Sequence, residues 1–260
     1  MHPLAIGPMI SARPASWHDA GVADVVVFIP AWNEEQNLPA VLDELGAELP
    51  AADVLVVDDG STDATGEVAR TRGAHVLAFP ENRGLRAGIA AGYGYAHEHG
   101  YAVCGRVDAD GQHPVAELRR LIAEVQAGRC DVAVGSRYLA GVDHEPHRYR
   151  IEGPRRFGTA VARRAVGVVL RRPFHDPMSG MWAVGAAATE LLSRPYTSGA
   201  PEVEALMRVT DAGLRLEEVP VEMRSRAGGE SKLQGRKAVG LVVTVAGTLF
   251  VGWRLMRRRR

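Results

Sequence analysis

The chain has 260 residues, with 31 Lys plus Arg set against 31 Asp plus Glu, 46% hydrophobic residues and only two cysteines. That is apolar material for one sizeable domain with appendages. The zero net charge singles out no class of partner, and Cys104 and Cys130 are too few and too widely spaced for a disulfide framework or a zinc site, which suits a reducing compartment.

Residues 1–23 hold three prolines and no long apolar run, so they read as a mobile tail without a signal-peptide pattern. From Val25 onward, apolar runs alternate with amphipathic segments, which predicts an α/β domain with a mostly parallel, Rossmann-like sheet flanked by helices. Val25–Ile29 is a strand buried on both faces. Leu38, Val41, Leu42, Leu45 and Leu49 follow at helical spacing. Val54–Val57 is a second strand, after which Ser61 or Thr62 is placed to cap a helix. His75–Phe79 is a strand, Gly84–His97 a helix, Tyr101–Val107 a strand, Leu118–Val125 a helix and Asp131–Val134 a fifth strand. A loop rich in His, Pro and Arg then leads into a predicted helix over Gly153–Leu170. A helix over Glu202–Ala212 precedes a strand around Leu214–Met223, which Pro220 confines to a sheet edge.

In an open α/β sheet, ligands bind beyond the carboxyl ends of the strands. Four polar segments fall at such ends and would converge on one rim: Pro30–Glu34, Asp58–Ser61, Asp108–Gln112 and Gly135–Arg137. Asp108 and Asp110 flank one small residue, so their side chains point the same way and offer hard oxygens to Mg²⁺ or Mn²⁺, with Gln112 adding a third at the same period. A capped turn is the bland alternative for a lone Asp-x-Asp. Asp58 and Asp59 suit either a turn or the hydroxyls of a ribose. Glu34 and Glu35 would also fit the first turn of a helix, and Trp32 would stack on a base or pack under the sheet. Arg226 and Lys232 flank a Gly-Gly hinge and would close over a diphosphate.

These segments in this order resemble the family-2 glycosyltransferases of the GT-A fold. The carriers are Phe28–Glu35, Val56–Asp63 and Val107–Pro114; Val134–Tyr138 and Arg226–Lys232 resemble the dolichol-phosphate mannose synthase branch, the polyprenyl-phosphate glycosyltransferases. The resemblance implies that Pro30, Trp32, Glu34, Val57 and Asp59 line a nucleoside pocket. It implies that Asp108, Ala109, Asp110 and Gln112 hold metal and diphosphate, and that Arg137, Arg226 and Lys232 meet donor or acceptor phosphates. Trp32 stands where the family has Tyr. Met181–Trp182 stands where Phe-Arg is common, and Glu202–Glu204 where Gln-x-Glu is common. The implied reaction is inverting transfer of a hexose from a GDP-mannose or UDP-glucose type donor to a polyprenyl phosphate. A saccharide or glycolipid hydroxyl is the alternative acceptor, with Asp176, Glu202 and Glu204 as candidate bases.

Arg148, Arg150, Arg155, Arg156, Arg163, Arg164, Arg171 and Arg172 form a basic stretch on the expected acceptor side. Ala238–Trp253 is apolar apart from two threonines. As a helix of about 24 Å it falls short of a ~30 Å hydrocarbon core and suits the membrane interface, with a short tilted span as alternative. The expected organisation is thus a tail (1–23), a GT-A domain (24–235) and a membrane-associating helix with a basic end (236–260), at the cytoplasmic face of a membrane. Nothing points to nucleic acid, and self-association stays open. A dehydrogenase is excluded because the turn after the first strand lacks Gly-x-Gly-x-x-Gly, and a phosphate-loop NTPase because no loop carries Gly-Lys-Ser/Thr.

Overall fold

A computed structural model describes residues 24–139, 163–164 and 166–224. It contains one seven-stranded sheet in the order β3-β2-β1-β4-β6-β5-β7. The strands are β1 (Val25–Ala31), β2 (Asp53–Asp58), β3 (His75–Ala78), β4 (Val103–Arg106), β5 (Val132–Ser136), β6 (Trp182–Gly185) and β7 (Leu216–Pro220). β6 pairs antiparallel with both β4 and β5, and every other pairing is parallel. The sheet is therefore mostly parallel as the apolar runs predict, with β6 alone reversed. β7 lies at the edge with Pro220 as its last residue.

Helices α1 (Leu38–Glu48), α2 (Thr65–Thr71) and α4 (Val115–Gln126) pack on one face around Leu45, Val56, Leu118 and Leu121. Helices α3 (Leu85–Glu98), α5 (Ala186–Leu192) and α6 (Pro201–Asp211) cover the other face around Phe28, Tyr93, Trp182 and Leu206. α3 lies flush on β1 at Gly92, where a Cβ would sit 2.5 Å from Phe28 ring carbons. Phe28 meets Tyr93 edge to face at 4.9 Å, so the ring has no room to yield.

Several expected elements shift. The fourth strand is confined to Val103–Arg106, and β6 and α5 are additions. Ser61 and Thr62 do not cap α2, whose N-cap position is Ala64. Of the predicted helix 153–170, the described residues 166–170 are helical and most of the rest lies outside the described residues. The 1–23 tail, Arg226, Lys232 and the apolar segment 238–253 also lie outside them. Among the described residues, no helix is long and apolar enough to cross a membrane.

Candidate active site at the sheet's carboxyl rim

β2 and β3 lie to one side of β1, and β4 and the remaining strands to the other. The topological switch therefore falls between β1 and β4, where an open α/β sheet forms its ligand crevice. Because β1, β2, β4 and β5 run the same way, all four polar strand ends reach this rim.

The β1 and β2 ends interlock. Asn33 N–H donates to Ser61 Oγ (3.0 Å), Thr62 N–H to Asn33 Oδ1 (2.9 Å), and Glu34 N–H to Thr65 Oγ1 (2.8 Å). Ala64 N–H donates to Glu35 Oε2 (2.9 Å). Asn33 takes a positive φ of 55°, a conformation Asn tolerates well. The helix-start reading of Glu34 and Glu35 is corrected: α1 begins at Leu38 with no acid in its first turn, Glu35 ties the loop before α2, and Glu34 Oε2 accepts from Asn37 Nδ2 at the α1 N-cap (2.8 Å). Trp32 is 42% exposed on this platform rather than packed under the sheet. Pro30 and Val57 are register partners, and both lie against Gly88 near the start of α3. Val57 is fully buried.

Asp59 is nearly buried, and its two oxygens accept the backbone N–H groups of Arg83 (2.7 Å) and Gly84 (2.8 Å). Asp58 Oδ1 accepts Ser61 N–H at 3.0 Å. Both carboxylates thus fasten the loops that frame the crevice. A Cβ on Gly60, which has φ +68°, would come within 2.5 Å of Asn82 N, so the β2 turn and the β3–α3 loop pass backbone to backbone.

Beyond β4, Asp108 and Asp110 sit either side of Ala109, which is buried among the α1–α4 core. Asp110 Oδ1 accepts Gln112 N–H at 3.1 Å, closing a turn at Gly111, whose φ is +71°. Gln112 O accepts Arg224 N–H (3.0 Å), and Arg224 forms a bidentate pair with Glu44 (2.6 and 2.9 Å). Glu44 Oε1 also accepts Val115 N–H at the start of α4. The strand-end turn is therefore braced by α1 and by the chain leaving β7.

Asp108 N–H donates to Nδ1 of buried His113 (3.1 Å), which sets the proton on Nε2. Burial pushes the His113 pKa below its ordinary value, against the pull of Asp108 and Asp110. Burial pushes the Asp108 pKa up, but the Arg106 guanidinium, with His113 and Arg137, overrides it and holds the carboxyl below its usual range. Asp108 is consequently ionised at neutral pH, with its side chain 38% exposed to the crevice. Asp108, Asp110 and Gln112 lie on one turn and carry oxygen donors. They fit a hard divalent cation that takes its remaining ligands from a diphosphate and water.

Three residues here escaped the sequence reading. Arg106, 2% exposed, points from β4 toward α6, where Nη2 donates to Glu202 Oε1 (3.0 Å) and reaches Asp108 Oδ1 (3.4 Å). A charged residue inside an apolar strand was its signal. His113 is the second. Gly180 is the third: a Cβ there would lie 2.9 Å from both Cγ and Oδ1 of Asp108 and closer still to Oδ2.

At the β5 end, Arg137 Nε and Nη2 grip Asp176 at 2.6 and 2.7 Å, and Arg137 N–H donates to Asp176 Oδ2 (3.1 Å). Glu218 on β7 accepts the N–H groups of His175 and Asp176. The three candidate bases are all engaged by arginines: Asp176 by Arg137, Glu202 by Arg106, and Glu204 by Arg208. Beyond them lies an open groove of about 720 Å³, lined by Arg163, Arg164, Arg171 and Arg172, with Val168 73% exposed.

Comparison with known proteins shows the family. Residues 26–185 match the family model described as Glycosyl transferase family 2. An undecaprenyl-phosphate mannosyltransferase of Micrococcus luteus is 34% identical over 85% of this chain and 92% of its own length. A polyprenol monophosphomannose synthase of Mycolicibacterium smegmatis is 32% identical over 81% of each chain. Glucosyl-3-phosphoglycerate synthase from Mycobacterium tuberculosis, solved with Mn²⁺, UDP-glucose and phosphoglyceric acid, superposes with a TM-score of 0.66 at 22% identity, over 88% of this chain and 79% of that one. The α/β fold, the polar strand ends gathered on one rim and these similarities lead to one conclusion: the chain belongs to glycosyl transferase family 2.

Proposed function

We propose that this chain transfers a hexose, with inversion, from a GDP-mannose or UDP-glucose type donor to a polyprenyl phosphate. The observation that carries the choice of acceptor is the engagement of Asp176, Glu202 and Glu204 by arginines. A hydroxyl acceptor needs a base to take its proton. A lipid phosphate is already ionised at neutral pH, so positioning and charge compensation suffice. The two relatives named for transfer to polyprenyl carriers point the same way.

In this reading Trp32 and the β1–β2 platform hold the nucleoside, with Pro30, Glu34, Val57 and Asp59 shaping its walls. Asp108, Asp110 and Gln112 would hold Mg²⁺ or Mn²⁺, which when bound would supply charge compensation for the leaving nucleoside diphosphate. The acceptor phosphate oxygen forms the new bond to the anomeric carbon as the bond to the diphosphate breaks on the opposite face. Arg137, Arg226 and Lys232 offset the phosphate charges; Arg224, pinned to the turn at Gln112, starts the segment that carries the last two.

Purified protein given labelled GDP-mannose or UDP-glucose, Mn²⁺ and a short polyprenyl phosphate is expected to yield an acid-labile, solvent-extractable sugar-lipid. Transfer only to a saccharide hydroxyl overturns the choice of acceptor.

The arginine groove with its exposed Val168 suits the anionic surface of a membrane's cytoplasmic face, at about 1 kcal/mol per arginine. Replacing Arg163, Arg164, Arg171 and Arg172 by glutamine is expected to weaken binding to phosphatidylglycerol vesicles at least tenfold, with 0.5 M salt weakening the parent protein similarly. Unchanged sedimentation with the vesicles would remove the groove from the membrane contact.

A further inference from the structure

The Arg106–Glu202 pair lies beside the strand-end carboxylates in a layer of buried apolar side chains. We infer that Glu202 is a positioning residue that keeps Arg106 from neutralising Asp108, and so sets the affinity of the strand end for a divalent cation. This rests on reading Asp108 as a metal ligand.

One buried cation serves two carboxylates, and unequally. Arg106 Nη2 is 3.0 Å from Glu202 and 3.4 Å from Asp108. The shorter contact makes Glu202 the better hydrogen-bond partner of the two, while the guanidinium also acts on Asp108. Arg106 Nε has no hydrogen-bond partner among the described residues, so these two acids set the orientation of the head group. Tyr93 and Tyr196 lie near the pair, and Arg106 and Glu202 are both buried, which leaves the charges little screened. The backbone at Gly180 passes close to the Asp108 carboxylate, which would meet any Cβ there. If Glu202 lost its charge, the same arginine would turn fully onto Asp108 and compete with the dication for it.

A mere staple between β4 and α6 would behave differently. Glu202→Gln preserves shape and keeps an oxygen that accepts from Arg106, so a purely structural bond survives it. Glu204→Gln removes the same charge from the same helix at a residue paired with Arg208 instead.

The test is a Mn²⁺ titration of the full chain, read by the paramagnetic resonance signal of free Mn²⁺, with GDP and separately with UDP. Glu202→Gln is expected to weaken Mn²⁺ binding on the order of tenfold. The Mn²⁺ concentration needed for half-maximal transfer is expected to rise equally while kcat at saturating Mn²⁺ stays within about threefold. Glu204→Gln is expected to match the parent protein. Should Glu202→Gln fail to fold, Arg106→Met with Glu202→Met removes both charges together and is expected to bind Mn²⁺ at least as tightly as the parent. Unchanged affinity in Glu202→Gln, equal weakening in Glu204→Gln, or weaker binding by the double variant overturns the inference. Absence of Mn²⁺ binding in the unsubstituted chain overturns instead the metal reading beneath it, and is recognised because it precedes any substitution.

Discussion

Asp110→Ala is expected to lower sugar transfer on the order of 10³-fold and to leave the fold intact. The side chain sits on the turn after β4, where its Oδ1 accepts the Gln112 N–H. Losing such a bond costs about 1 kcal/mol of stability. In the proposed reading, the substitution removes one of two carboxylates that would carry a dication against a leaving diphosphate. Asp110→Asn separates these roles, because an amide oxygen still accepts the Gln112 N–H but brings no charge. Both variants are therefore expected to be inactive in a Mn²⁺-dependent donor-turnover assay, with melting temperatures near the parent. Retained turnover in either would show that the cation is held elsewhere.

Gly180→Ala is the second large effect, and acts without touching a polar group. The added methyl would occupy space already taken by the Asp108 carboxylate. Gly180 is not among the positive-φ residues, so alanine suits its backbone, and the three atoms nearest its Cβ would all belong to the Asp108 carboxyl group. Asp108 has little freedom to move, since its N–H is bound to His113 and its carboxylate leans on Arg106. The carboxylate is expected to be forced out of position, costing at least about 100-fold in kcat/KM, as displacements near an ångström do. Mn²⁺ affinity should fall in parallel while the circular dichroism spectrum stays unchanged. Activity within a few-fold of the parent would mean that the 179–181 segment yields and that Asp108 needs no such wall.

The rim was legible in the sequence because it follows from periodicity. Buried strands read as continuous apolar runs, and the polar residues that stop them mark their carboxyl ends, as at Asp58 and Asp108. The edge position of β7 followed from Pro220, which has no N–H to give a central ladder. What escaped depends on contacts distant in sequence. Trp182–Gly185 is only four residues long and follows irregular chain, so no alternation announced it, still less its reversed direction. Arg106 sat unremarked in the run Tyr101–Val107 because its partner, Glu202, lies 96 residues further on. The bonds that Asp59 accepts from two N–H groups of the β3–α3 loop likewise become visible only once the loop is folded. Gly180 belonged to a recognisable Ser-Gly step, and only the position of its absent Cβ gives the glycine a reason.

In the proposed reading, Asp108 and Asp110 jointly hold the cation on which departure of the diphosphate depends. Anomalous diffraction at the manganese edge, from crystals grown with Mn²⁺ and GDP or UDP, tests it most directly. The expected result is a peak within bonding distance of both carboxylates, with the diphosphate beside it and the nucleoside near Trp32. A nucleotide-bound ion seated away from these two aspartates would contradict the claim.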